Sequence, residues 1–142
     1  MKTILLTGAR APVTLDLARA LSRAGHRVLA AESMDYPLSV HSRAFDRFFK
    51  ISAPNESLEA FTQDLKTIIE QERVDILIPT CEEAFHLSKV KSRLGDRLFV
   101  LVDEHEKLAE LHSKIRFNDL VRSLGMKAPA SFRVLTLDEL KD

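Results

Sequence analysis

The feature that most constrains this chain is the stretch Thr3-Ile4-Leu5-Leu6-Thr7-Gly8-Ala9-Arg10-Ala11-Pro12. An apolar, β-prone run meets a glycine, and an amphipathic helical pattern follows at once. That order is the first strand, tight turn and first helix of a doubly wound α/β domain. The connecting loop then sits at the carboxyl end of a parallel strand, where such sheets bind ligands. It also faces a helix N-terminus, whose free N–H groups favour an anion.

The downstream chain supplies further layers. Pro12 suits a first helical position, Leu17, Ala18, Leu21 and Ala24 form one apolar stripe, and Gly25 supplies the left-handed end. Val28–Ala31 reads as a second, doubly buried strand ended by Glu32. The pattern weakens from Ser33 to Arg47, after which Phe48–Ile51 is a short third strand, with Phe45, Phe48, Phe49 and Ile51 as core residues. Asn55 or Ser57 caps a helix carrying Leu58, Phe61, Leu65, Ile68 and Ile69 on one face.

Val74–Ile78 is the fourth strand, closed by Pro79; a helix runs from Glu82-Glu83 to near Gly95, and Leu98–Val102 is the fifth strand. The alternation predicts a five-stranded parallel sheet in the order 3-2-1-4-5, with helices on both faces. From Asp103 two helical patterns run back to back, the second ending at Gly125 and followed by Ala128-Pro129. Ser131–Thr136 suits one more strand, and Thr136-Leu137-Asp138-Glu139 resembles a capping box opening a helix that is not completed. That unfinished helix suggests a polypeptide cut from something longer.

Composition narrows the function. With 142 residues there is room for one domain of ordinary size, and 21 basic against 21 acidic residues leave no excess for phosphate-dominated nucleic-acid binding. The single cysteine, Cys81, cannot form an internal disulfide, which fits a reducing compartment. Arg10 and Asp16 interrupt any signal-peptide core, and no run is long enough to cross a bilayer, so a cytoplasmic protein is expected.

A dinucleotide fingerprint needs three glycines, and Gly8-Ala9-Arg10-Ala11-Pro12-Val13 has only the first. Glu32 stands where a ribose-binding acid would, but one acid and one glycine are better read as a tight turn and an ordinary strand-end carboxylate. Arg10 can still meet an anion through its guanidinium. The second candidate segment is Ile78-Pro79-Thr80-Cys81-Glu82-Glu83, at the end of the fourth strand. Acids in a first helical turn complement the helix dipole, which accounts for Glu83 and leaves Glu82 open between that role and ligand contact. Cys81 has no neighbouring base to activate it and reads as an inert thiol. His26, His41, His86, His105 and His112 show no metal-ligand spacing, and neither a Walker loop nor a nucleophile elbow occurs. Lys114-Ile115-Arg116 reads on its own as a solvated charged face.

Taken together, Thr7-Gly8-Ala9-Arg10, Ala24-Gly25-His26-Arg27-Val28, Ile78–Glu83, Ser113-Lys114-Ile115-Arg116-Phe117 and Leu124-Gly125-Met126-Lys127-Ala128-Pro129 form an ordered set. The set resembles the N-terminal part of ATP-grasp ligases, particularly those similar to carbamoyl-phosphate synthase. The resemblance covers essentially the whole chain and divides it into a Rossmann-like pre-ATP-grasp domain over 1–112 and a linking helix with the start of an ATP-grasp domain over 113–142. It implies an enzyme that activates a carboxylate with ATP and Mg²⁺ as an acyl phosphate and passes it to an amine or similar nucleophile. Gly8, Ala9, Arg10, Thr80, Glu82 and Glu83 would line the substrate side, and Lys114 would reach the nucleotide. Metal-binding acids and most nucleotide contacts in such enzymes lie in a following domain, so this chain alone is not expected to catalyse or to hold ATP and Mg²⁺ tightly. The implied partners are a small carboxylate substrate and that C-terminal domain, with a homodimer possible and neither nucleic acid nor membrane involved. The competing readings are a freestanding Rossmann-type nucleotide- or NAD(P)-binding module and a non-catalytic interaction domain.

Overall fold

The computed structural model describes residues 1–136 and Asp138. Five parallel strands, β1 (Thr3–Thr7), β2 (Arg27–Glu32), β3 (Arg47–Lys50), β4 (Ile76–Pro79) and β5 (Phe99–Val100), form one sheet in the order β3-β2-β1-β4-β5. Between them run α1 (Pro12–Arg23), α2 (Leu58–Glu72) and α3 (Glu83–Val90), the last followed by a 3₁₀ turn over Lys91–Arg93. The strand order reverses between β1 and β4, and this is where a doubly wound sheet opens a crevice.

Alternation along β1 divides the core. Leu5 points to one face with Leu29, Leu77, Phe61, Leu65, Ile68 and Leu87, and Ile4 and Leu6 point to the other with Val28 and Ala18. Such period-two sorting of apolar residues to both faces is what a parallel sheet covered on each side requires. The stripe expected on α2 is there: Phe61, Leu65, Ile68 and Ile69 are buried, while Leu58, in the first turn, is only partly covered. Ser57 Oγ accepts from the Ala60 N–H at 3.1 Å and starts that helix. Arg73 ends it in a left-handed conformation at φ 53°.

Several expected boundaries move. The third strand begins one residue earlier, because Arg47 pairs with Leu29 and Phe48 with Ala30. Ile51 falls just past its end yet stays buried, its N–H donating to the Glu32 carbonyl at 3.1 Å. Phe45, Phe48 and Phe49 are only half-buried, since β3 is an edge strand; Phe45 and Phe48 meet edge to face with centroids 6.5 Å apart. The fifth strand, at the edge of the sheet, shrinks to Phe99–Val100, which pair with Ile76 and Leu77 of β4. The helix expected to reach Gly95 tightens into the 3₁₀ turn after Val90.

The chain separates into two compact units, Met1–Asp103 and Glu104–Asp142. The second contains α4 (His105–His112) and α5 (Lys114–Ser123), with Ser113 Oγ accepting from the Arg116 N–H at 3.4 Å as the cap of α5. Neither helix contains a buried residue. The strand expected over Ser131–Thr136 does not form. The proposed capping box after it includes Leu137 and Glu139, which lie outside the described residues. Among the described residues no helix is long and apolar enough to cross a membrane.

Candidate functional site

The Gly8 turn is built by contacts within the protein. Gly8 has φ +77°, and its carbonyl accepts from the Ala11 N–H at 3.0 Å and the Thr14 hydroxyl at 2.7 Å. A methyl group at Gly8 would lie 2.6 Å from both Glu83 Oε1 and Thr80 Oγ1. The absent side chain thus admits a carboxylate and a hydroxyl from the β4–α3 segment, in the place where a dinucleotide fold would admit a phosphate.

Glu83 is the pin of this junction. It is buried, and its Oε1 accepts from Thr7 Oγ1 at 2.9 Å and from the backbone N–H groups of Thr80 and Cys81 at 3.3 Å each. The sequence assigns Glu83 to the helix dipole, and it does lie in the first turn of α3. Its reach back to β1 is a tertiary contact that no local pattern encodes.

Arg10 crosses the same space from the other side. Its Nη1 donates to both oxygens of Glu32 at 3.0 and 3.1 Å, and its backbone N–H to Glu32 Oε2 at 3.1 Å. Its Nη2 donates to Glu82 Oε2 and to Glu83 Oε2, each at 3.3 Å. Burial pulls the Arg10 guanidinium down, but the charges of Glu32 and Glu83 more than reverse this and hold it above its ordinary value. Glu32 also accepts from the Ser33 N–H at 2.7 Å and the Met34 N–H at 3.3 Å. The strand-end carboxylate is therefore the anchor of Arg10, a role that sequence reasoning missed. Its only signal was position, because strands one and two end side by side.

These residues rim a cavity of about 320 Å³ at the carboxyl ends of the strands. Ala31, Ile51 and Phe61 make its apolar lining, and Arg10, Glu32, Glu82, Glu83 and His86 are polar groups on it. Gly8, Arg10, Glu82 and Glu83 thus come together there. Ala9 and Thr80 do not line the cavity. Ala9 is fully buried with its carbonyl taken by the Ser39 hydroxyl at 2.5 Å, and Thr80 Oγ1 turns inward to the Thr7 carbonyl at 2.8 Å. Lys114 belongs to the second unit, exposed at the start of α5.

Burial first, then the neighbouring Glu83 charge, push the Cys81 thiol above its ordinary range. Such a thiol is a poor nucleophile at neutral pH. Among the described residues no group of three or more His, Cys, Asp or Glu side chains is disposed to hold a metal ion. The three carboxylates that meet here converge on a guanidinium.

No protein-family model and no curated protein matches the sequence. Solved structures do match the fold. The L-amino acid ligase from Bacillus licheniformis aligns over 100% of this chain with a TM-score of 0.73 at 16% identity. The biotin carboxylase domain of a single-chain bacterial carboxylase aligns over 99% with a TM-score of 0.66 at 21% identity. The biotin carboxylase domain of Hydrogenobacter thermophilus 2-oxoglutarate carboxylase, solved with MgADP, ADP and bicarbonate, aligns over 99% with a TM-score of 0.64 at 15% identity.

The fold is that of the N-terminal domain of ATP-grasp enzymes.

The chain spans 35%, 33% and 31% of the length of these three proteins respectively, about a third of each. In pre-ATP-grasp terms, the cavity occupies the carboxyl edge of the sheet, beside the strand-order reversal between β1 and β4.

Proposed function

We propose that this chain is the N-terminal, substrate-side domain of an ATP-dependent carboxylate–amine ligase that works through an acyl phosphate. The observation that carries the reading is the match of essentially the whole chain to about a third of enzymes that include a ligase and biotin carboxylases. The crevice supports it chemically. Arg10, paired with Glu32, Glu82 and Glu83, places a cation among carboxylates at the rim, and Ile51 and Phe61 contribute apolar lining. Such a set suits a small zwitterion or carboxylated molecule.

ATP and Mg²⁺ do not fit the crevice itself. The space beside Gly8 holds the Glu83 carboxylate, and Glu32 and Glu82 stand within hydrogen-bond distance of the same arginine, so a polyphosphate would meet three like charges. The nucleotide and its metal would be held chiefly by the following domain, with Lys114 as this chain's contribution. This chain's own residues hold and orient the carboxylated substrate.

The test uses the complete polypeptide. It should release ADP only with ATP, Mg²⁺ and the right carboxylate and amine, and ¹⁸O from a labelled carboxylate should appear in the released phosphate. Arg10→Ala should raise the KM for the carboxylate, and Lys114→Ala the KM for ATP. Unlabelled phosphate would exclude the acyl phosphate. Unchanged kinetics in both variants would sink the site assignment. Residues 1–142 alone should hydrolyse no ATP.

A further inference from the structure

The cavity at the carboxyl edge is lined by two kinds of polar group. Those around Arg10 are spent on one another: Nη1 meets both oxygens of Glu32, and Nη2 meets Glu82 and Glu83. Thr7 Oγ1 donates to Glu83 and Ser33 Oγ to Glu32. The second kind is unspent. Among the described residues, neither His86 nor Asn55 makes a hydrogen bond or an ion pair through its side chain, yet both line the cavity. His86 stands half-buried in the first turn of α3, and Asn55 is exposed in the loop before α2. The two helices cover the same face of the sheet, since Phe61 and Leu65 of α2 and Leu87 of α3 share one core with Leu5. A molecule held between their starts meets His86 from one helix and Asn55 from the approach to the other.

An imidazole and a primary amide can each donate or accept, so the surrounding charge decides which they do. Glu32 and Glu83, 1% and 6% exposed, stand against the single Arg10 guanidinium, a formal excess of one negative charge in the buried part of the wall. A cleft of that sign attracts a cation and repels an anion. A ligand carboxylate would also find both terminal nitrogens of Arg10 engaged. An ammonium group finds an acceptor in the imidazole ring nitrogen and another in the Asn55 carbonyl oxygen, with Ile51 and Met34 beside its carbon chain. We propose that His86 and Asn55 bind a primary ammonium group in this cavity, and that His86 fixes its position. This rests on the reading of the crevice as the substrate side of a ligase, and names the end of the substrate that it holds: the amine is seated, and the carboxylate is left free to meet ATP. Arg10 then acts by bracing the two loops rather than by touching the ligand, and its removal raises KM through them.

The experiment is a titration of the ¹⁵N-labelled chain with ethylammonium chloride and, separately, with tetramethylammonium chloride and sodium acetate, against sodium chloride at equal ionic strength. Binding is read from the His86 ring nitrogens and the Asn55 side-chain amide. Ethylammonium should shift both and bind more tightly than either other probe, because tetramethylammonium carries the charge without an N–H and acetate has the wrong sign. His86→Phe keeps a ring but no acceptor, and should weaken ethylammonium binding about ten-fold, the scale of one hydrogen bond to a charged group. His86→Gln restores an acceptor and should recover most of that loss. Asn55→Asp, at an exposed position on which folding does not depend, should tighten ethylammonium binding and leave tetramethylammonium less affected. The proposal is overturned if tetramethylammonium or acetate binds as tightly as ethylammonium, if His86→Phe and Asn55→Asp both leave ethylammonium affinity unchanged, or if no probe shifts these signals. The titration needs no ATP. Ethylammonium binding through His86, in a protein whose complete polypeptide forms no acyl phosphate, would retain this inference and sink the functional reading; acyl-phosphate chemistry with amine binding indifferent to His86 and Asn55 would do the reverse.

Discussion

At the scale of single residues, two positions carry measurable consequences. Gly8 combines a left-handed φ of +77° with a side-chain space already filled by Glu83 and Thr80, whereas Gly25 has a similar φ of +81° and open surroundings. Gly8→Ala should therefore cost more than Gly25→Ala. Strain alone is worth about 1–3 kcal/mol, and Gly8 adds a steric clash with the pinned carboxylate. Urea midpoints of the two variants would check the order, and equal losses would show that Glu83 moves aside freely. Cys81 gives a pH-dependent expectation. Burial and the Glu83 charge raise its folded thiol above the ordinary value, so its contribution to stability is fully present below the unfolded thiol pKa of about 8.5. That contribution is lost as pH rises through the higher folded value. Iodoacetamide should modify Cys81 in the folded chain more slowly than a free thiol at pH 8, and Cys81→Ser should flatten the alkaline loss of thermal midpoint.

At the scale of elements, α2 holds the sheet's second face. Leu65 is fully buried among residues of β1, β2 and β4 and of α3. Leu65→Ala should cost about 2–5 kcal/mol, the range for deleting a buried leucine side chain in a core that relaxes only partly. A thermal midpoint equal to that of the unmodified protein would contradict the packing. The start of this element is legible in the sequence and its end is not. Ser57 announces the start by its hydroxyl, while the end falls at Arg73 without a glycine, in a left-handed conformation the sequence does not advertise.

At the scale of the whole molecule, the sheet order places a crevice beside β1, yet the crevice is not a dinucleotide site. In a dinucleotide-binding fold the strand-two acid receives a ribose hydroxyl and the glycine turn admits the pyrophosphate. Here Glu32 is taken up by Arg10 and two backbone N–H groups, and the turn is filled by Glu83. Calorimetric titration with NAD(H) or NADP(H) should show no micromolar binding, and a micromolar dissociation constant for either would favour the nucleotide-binding module instead.

The sequence by itself determined the architecture. Apolar runs such as Thr3–Thr7 and Val28–Ala31 alternate with stripes at helical spacing, and a parallel sheet with right-handed crossovers is the arrangement that buries both. It also brought the Gly8–Arg10 and Thr80–Glu83 segments to one edge, since both follow strands of the same direction. What it could not decide was how the charges pair. Arg10 and Glu32 are 22 positions apart, and Arg10 and Glu83 are 73 apart. No helical or strand periodicity links such residues, so their partners are fixed only once the sheet has formed. The same holds for the edges. Phe49 and Leu101 look as apolar as Leu29, but β3 and β5 lie outermost, and only position in the sheet leaves Phe49 half-buried and Leu101 exposed while Leu29 is sealed from water. Local chemistry chose the elements; burial and long-range charge pairing, which depend on the assembled sheet, made the site.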